Sequence, residues 1–436
     1  MMVQSHLALA AFTTLFLVGA PQNPPESKLT IPFVLKRDEW KAGNPFAAYV
    51  EMLRLEKEYE ADKMWRTTYW EARGTVGGIL GDNYEGAKGW NTAFPNVPVR
   101  PVLLKTPLSE MKPMNAIDVI ANAARTHNWI MLGEEHLKPQ TRSIMIPLLN
   151  TLWKQGFRTL AVETFEEAAP TLAAQLGYPT YGTGYYTADP VFSAGIREAI
   201  RLGYKLVPYE AREQPKEVPE GDTEFRTNFR ETLQAKNLKE RIWDKDKNAK
   251  VIVWAGRAHV LENVPQVPEG ESVWRPMASE FKKMTGVDPF SVYLATYVEH
   301  SERKFERAEY IWATDRGLVK RPTIFMDKGG KPFGDAFDTQ VFFPRTELVQ
   351  GRPDWMMREM GRRLVAIPDG LVKAQGLQLA QVFGAGEPVT AVPIDQTLIR
   401  PGEPVPALML PRGRKCWVRV LNAEGTENGR ADVMAR

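Results

Sequence analysis

Two hydrophobic periods alternate along the middle of the chain. Trp129-Ile130-Met131-Leu132 is an apolar run of strand length, and Gly133 is expected to stop it. Helix-period positions follow at Ile144, Leu148, Leu149 and Leu152, closed by Gly156, with Pro147 either kinking this helix or marking its true start. Arg158-Thr159-Leu160-Ala161-Val162 makes a second strand that ends on Glu163. The whole of residues 128–164 is a βαβ unit, whose parallel strands need such a crossover. The alternation then continues with a helix over 192–202, a strand over 205–209 ending at Glu210, and a long charged helix over 225–243. Lys250-Val251-Ile252-Val253-Trp254-Ala255 is the clearest strand, broken by Gly256 just before Arg257-Ala258-His259. A further helix is expected over 277–285 and strands over 291–298 and 337–343. The pattern predicts an α/β fold with a mostly parallel sheet and flanking helices, over residues 115–369.

The flanks read differently. Residues 7–20 are uncharged and of signal-peptide length, shorter than the ~20 residues a membrane span requires, so residues 1–20 are a candidate export signal, cleaved or anchoring. That implies a periplasmic or secreted protein, touching a membrane only through an uncleaved N-terminal segment. Residues 21–114 form an N-terminal extension: a Pro-rich tether, a helical stretch over 44–69, a glycine-dense part over 74–89 that reads as a loop, and a Pro-rich linker over 99–113. From about residue 370 to 436, short runs at 389–392, 407–410 and 416–421 between Pro-Gly and Arg-Gly turns predict a small β-rich module.

Composition narrows the function more than the fold. The 436 residues are 43% hydrophobic and 25% charged, with 56 basic against 53 acidic side chains and no long single-sign block, so no footprint for nucleic acid stands out. Cys416 is the only cysteine, which rules out an intramolecular disulfide. Ser193-Ala194-Gly195 has Val191 where a nucleophile elbow needs glycine. Gly182-Thr183-Gly184 has Thr187 in place of the third dinucleotide glycine.

The ionisable residues fall at strand ends, where open α/β sheets bind ligands. Of the five histidines only His136 and His259 follow a strand and a glycine turn. Glu134 and Glu163 add carboxylates able to polarise an imidazole, ligate a divalent metal or accept a proton. Glu135, Tyr209 and Glu210 lie at the same ends and are candidate substrate contacts. His127 reads as a helix C-terminal cap. Tyr178, Tyr181, Tyr185 and Tyr186 stand among glycines in a loop that is either a ligand-facing lid or a stiffened surface segment.

Taken in order, Gly133-Glu134-Glu135-His136, Glu163-Thr164-Phe165, the segment 195–210, Arg230-Glu231 with Ala235 and Asn237, and Ala255-Gly256-Arg257-Ala258-His259-Val260 resemble the erythromycin esterase, ChaN-like and Tiki (TraB) superfamily. The resemblance spans about residues 116–297. It implies an α/β domain whose pocket holds Glu134, His136, Glu163, Arg230 and His259. In that superfamily, erythromycin esterases open a macrolactone with histidine-activated water, Tiki proteins resemble metal-dependent proteases, and ChaN-like proteins are associated with haem and iron uptake. The esterase form has one more residue between Glu and His, so this Gly-Glu-x-His is closer to the ChaN-like and Tiki versions. The leading expectation is a hydrolase acting on a small-molecule or peptide substrate. His136 or His259 activates water, Glu134 and Glu163 serve as proton acceptor or, with both histidines, as metal ligands, and Arg230 stabilises an oxyanion. The alternative is a haem- or iron-binding protein with a histidine, a loop tyrosine or Tyr209 as ligand.

Overall fold

The apolar runs 129–134 and 251–256 show no polar alternation, the signature of strands covered on both faces, and both are buried along their whole length. The computed structural model describes residues 29–95, 107–217, 224–262, 274–334 and 336–436. The expected signal segment, the start of the tether and much of the 99–113 linker lie outside them.

Eight strands form one sheet: β1 (Lys112–Asn115), β2 (Trp129–Glu134), β3 (Thr159–Val162), β4 (Lys205–Pro208), β5 (Val251–Gly256), β6 (Phe290–Tyr297), β7 (Thr323–Met326) and β8 (Thr339–Phe342). Their order is β1-β7-β8-β6-β2-β5-β3-β4. The six strands from β8 to β4 run parallel, and β7 and β1 close the other edge with antiparallel pairings. The chain is therefore α/β with a mostly parallel sheet.

Alternate residues of each strand feed two cores. Ile130, Leu132, Leu160, Val162, Ile252 and Trp254 point to one face. Among the side chains packed there are those of α6 (Ala116–Ala123), α7 (Met145–Lys154) and α9 (Pro190–Leu202), with the Phe192 ring stacked on Trp254 at 3.8 Å. Trp129, Met131, Ala161, Val251, Val253 and Ala255 point to the other, against α10 (Phe225–Leu238) and α11 (Met277–Thr285). Pro147 sits in the first turn of α7, where a missing N–H is harmless, so it marks a start and not a kink. His127 Nδ1 lies 3.0 Å from the Ala123 carbonyl at the end of α6, the capping position expected of it.

The glycine-dense stretch is a correction. It forms α4 (Arg66–Ile79) and α5 (Asn83–Ala93), the last two of the N-terminal helices α1 (Arg37–Lys41), α2 (Phe46–Arg54), α3 (Glu56–Ala61), α4 and α5. A Cβ on Gly89 would lie 2.6 Å from the Gly74 Cα, so these glycines permit backbone-to-backbone helix packing. Reading glycine density as a loop misses this, because tight helix contact outweighs the helix penalty of glycine, roughly 1 kcal/mol per residue.

Beyond the sheet come a short hairpin, β9 (Leu348–Val349) and β10 (Arg352–Pro353), and the pair β11 (Arg362–Val365) with β14 (Leu408–Pro411). A four-stranded antiparallel sheet combines β12 (Gln378–Gly384), β13 (Asp395–Ile399), β15 (Lys415–Asn422) and β16 (Glu427–Met434). The expected strand at 389–392 is absent, with only an isolated bridge from Ala391 to Thr180. No helix of the described residues is long and apolar enough to cross a membrane.

Candidate functional site

Because β2, β5, β3 and β4 are adjacent and parallel, their carboxyl ends deliver Glu134 with His136, His259, Glu163 and Glu210 to one edge of the sheet. Strand β2 runs one turn of the pleat further than expected, through Gly133 to Glu134. His136 Nδ1 donates to Glu134 Oε1 at 2.5 Å, which turns Nε2 away from that carboxylate. The imidazole is fixed from behind by Tyr186, stacked on it at 3.8 Å. Glu134 is in turn held by Arg142, whose Nε and Nη2 donate to its carboxylate at 2.9 and 3.2 Å. Arg142 also reaches the His136 carbonyl (2.8 Å) and Asp189 (2.6 Å), the residue that caps α9 through the Val191 N–H. Burial alone would raise the Glu134 pKa, but Arg142 and then His136 outweigh it and hold the carboxyl below its ordinary range.

Across the cleft, Glu163 Oε2 accepts the Gly256 N–H at 2.6 Å. A Cβ on Gly256 would fall 2.3 Å from His136 Nε2 and 3.4 Å from Glu163 Oε2, so the missing side chain is what lets the imidazole face that carboxylate. Arg230 comes from α10: Nη2 bonds Glu163 and Glu210 at 2.6 Å each, Nε bonds Glu210 at 2.9 Å, and Nη1 faces His259 Nε2 at 3.3 Å. Gln234, one turn on, donates to the same Glu210 at 3.0 Å. His259 Nε2 is 3.5 Å from Glu163, and its Nδ1 is 2.7 Å from Glu231, a close ion-pair distance without hydrogen-bond alignment. Burial lowers the His259 pKa, but Glu231 and then Glu163 outweigh it, so the ring is shifted toward imidazolium. Glu163 moves the opposite way: burial is overcome by His259 and Arg230, and its carboxyl is held low.

A third guanidinium completes the pattern. Arg257 donates to Glu135 Oε1 at 3.0 and 3.1 Å and lies 4.0 Å from Glu71 of α4. Each of Arg142, Arg230 and Arg257 thus stands between two carboxylates.

Of the residues singled out from sequence, Glu134, His136, Glu163, Arg230, His259 and Glu210 meet in one largely buried cluster at the strand ends. Glu135 does not face it, being committed to Arg257. Tyr209 is fully buried in the core beneath the site, its hydroxyl without a partner. The tyrosine loop is packed inward and is no lid: Tyr181 accepts from Gln381, Tyr185 stacks on Trp40 of α1, and Tyr186 lies on His136. Tyr178, the remaining tyrosine of the loop, is half-buried with the Arg197 guanidinium 5.4 Å from its ring centre. Glu134, His136, Glu163 and His259 do not fit a divalent metal as arranged. The Glu134 oxygens accept from His136 and Arg142, and those of Glu163 from Arg230 and Gly256, so a cation would have to displace a guanidinium. Among the described residues no set of three or more His, Cys, Asp or Glu side chains is disposed to hold a metal ion.

Sequence reasoning missed Arg142, Asp189 and Glu231 as parts of the site. Signals existed in an arginine just before the apolar helix, an Asp-Pro pair opening the next one, and the place of Glu231 beside Arg230 in the resemblance.

Fold and site together define an α/β protein with paired histidines, carboxylates and an arginine at parallel strand ends. No family model matches the chain, and no curated protein matches it significantly. Among solved structures it is similar to the type III effector HopBA1 (15% identity, TM-score 0.29, covering 48% of this chain and 94% of that one). It is also similar to RRSP, a MARTX toxin effector domain from Vibrio vulnificus (15%, 0.31, covering 53% and 46%), and to the C-terminal region of Pasteurella multocida toxin (9%, 0.30, covering 81% and 52%). The chain spans about half the length of the latter two. Scores this low establish neither family nor function.

Proposed function

We propose that the chain is a hydrolase-like enzyme in which His136 Nε2 takes a proton from water as it attacks an ester or peptide carbonyl, then returns that proton to the departing alcohol or amine as the C–O or C–N bond breaks and the carboxylic acid product is left. The observation that carries this reading is the His136 ring itself. Its Nδ1 is locked to a buried, charged Glu134, while Nε2 faces Glu163 across the bare backbone of Gly256. A base oriented this way contributes about 10²–10⁴-fold. His259, kept toward its cationic form by Glu231 and Glu163, supplies positive charge beside Arg230 where an oxyanion would develop. One such donor is worth about 3–4 kcal/mol in a site closed to water. The resemblance to the erythromycin esterase, ChaN-like and Tiki superfamily supports the reading, since the five positions that match its motifs meet in space. The uncharged run over 7–20 supports work outside the cytoplasm, on a small-molecule or peptide substrate.

The test is a broad ester and peptide screen on purified protein, repeated for His136→Ala and His259→Ala. Both variants are expected to lose at least about 100-fold in turnover while remaining folded by circular dichroism, with lower melting temperatures because each leaves a buried carboxylate without its ring. Turnover retained by His136→Ala would reject the assignment.

A further inference from the structure

Away from the strand ends, a group of arginines lies where β11, α9 and the turn before β15 meet. Arg362 opens β11 opposite Pro411, so Arg414 is three residues past the partner strand's end. Arg197 of α9 and Arg414 both bond Glu387, at 2.7, 2.9 and 2.8 Å. Arg352 holds Asp395 at 2.5 Å, and the second Asp395 oxygen accepts the Met409 N–H. Both carboxylates are thus occupied, and the Arg362 side chain is left over. It is only 4% exposed, no carboxylate or carbonyl among the described residues accepts from its guanidinium, and its Nη1 is sealed without a partner. The Arg197 Nε is sealed and unpartnered as well. A guanidinium keeps its charge, and a buried charge without a counter-ion is strongly destabilising. Burial, with Arg197 and Arg414 adding to it against the pull of Asp395, pushes the Arg362 pKa down to about 10, still well above neutrality.

We infer that Arg362, with Arg197 and Arg414 around it, forms a buried binding site for a small inorganic anion. The anion supplies the missing negative charge beside Arg362, where Arg197 and Arg414 already share Glu387, and it ties β11 to α9 and to the β14–β15 turn. The site shares no residue with the histidine cleft, so it stands or falls independently of any hydrolysis.

The full chain is melted in sodium gluconate, too bulky to enter, and in chloride, nitrate or phosphate at the same ionic strength. For the parent, at least one small anion is expected to raise the melting temperature by more than about 2 °C over gluconate, saturably, because a ligand of the folded state alone stabilises it. Arg362→Met is expected to melt higher than the parent in gluconate and to show no anion-specific rise. Identical melting of the parent in all four salts, or an unchanged anion response in Arg362→Met, overturns the inference and leaves Arg362 merely hydrated. Should Arg362→Met fail to fold, bromide-soaked crystals of the parent decide it: an anomalous peak against Arg362 supports the site, and its absence rejects it.

Discussion

Replacing Arg142 by Met gives the sharpest test of how the cleft is held together. Arg142 is 1% exposed and makes four hydrogen bonds, two to Glu134 and one each to Asp189 and the His136 carbonyl. Valued separately as charge-assisted bonds they would sum well past what single substitutions show, so the better guide is the cost of leaving a buried partner unpaired, about 3–5 kcal/mol. The loss must depend on pH. In the parent the Glu134 pKa is depressed, so its contribution is present above the unfolded carboxyl value, about 4.3, and fades as pH falls through the folded value. Without Arg142, burial dominates at both Glu134 and Asp189, and their ionisation becomes a penalty at neutral pH that is relieved as pH falls. Urea unfolding followed by the fluorescence of the 12 tryptophans, at pH 8 and pH 5, should therefore show a larger deficit at the higher pH. Adding Glu134→Gln to Arg142→Met should recover part of it, because one orphaned charge is gone. A deficit below about 1 kcal/mol, or one equal at both pH values, refutes the buried-ion account.

Three further outcomes follow from the same geometry. Gly256→Ala places a Cβ 2.3 Å from the His136 ring, so it should destabilise by about 1–3 kcal/mol and displace the imidazole in a crystal structure. Burial raises the Glu71 pKa to about 7, above the pull of Arg257, so its ionisation opposes folding between the unfolded carboxyl value and about pH 7. Glu71→Gln should accordingly match the parent near pH 4 and exceed its stability by about 3 kcal/mol at pH 8 in urea titrations. Glu231→Gln should lower the His259 pKa measured by imidazole NMR. The stabilisation His259 gives below its unfolded pKa, which is lost as pH rises through the folded value, should shrink with it.

The parts of this protein legible in its sequence are those fixed by backbone periodicity. Strands β2, β3, β4 and β5 each end within a residue or two of their expected places, and because they are neighbours and parallel, the acids and imidazoles read at their ends meet. What sequence could not supply is the layer behind them. Arg142 touches Glu134, Asp189 touches Arg142 and Glu231 touches His259, across separations set by how the elements pack on the sheet, and no hydrophobic period records that. The tyrosines show the converse. Their glycine-rich setting suggests solvent and a ligand, yet Tyr185 and Tyr186 find aromatic partners from Trp40 and His136, residues about 145 and 50 positions away.

The same contrast explains why the glycines misled in one place and not in another. Gly256 breaks a strand, and its function is to leave room for a side chain arriving from β2, so reading it as a turn that exposes chemistry leads to the right cleft. Gly74 and Gly89 leave room for each other's backbone, a use that looks identical in sequence and yields a helix pair. That helix pair brings Glu71 to Arg257, and Arg257 holds Glu135, the neighbour of both Glu134 and His136. The N-terminal helices thus belong to the support of the histidine cleft. Their state should be felt at His136 even though none of their residues reaches it, which is why the Glu71→Gln variant bears on the site as well as on stability.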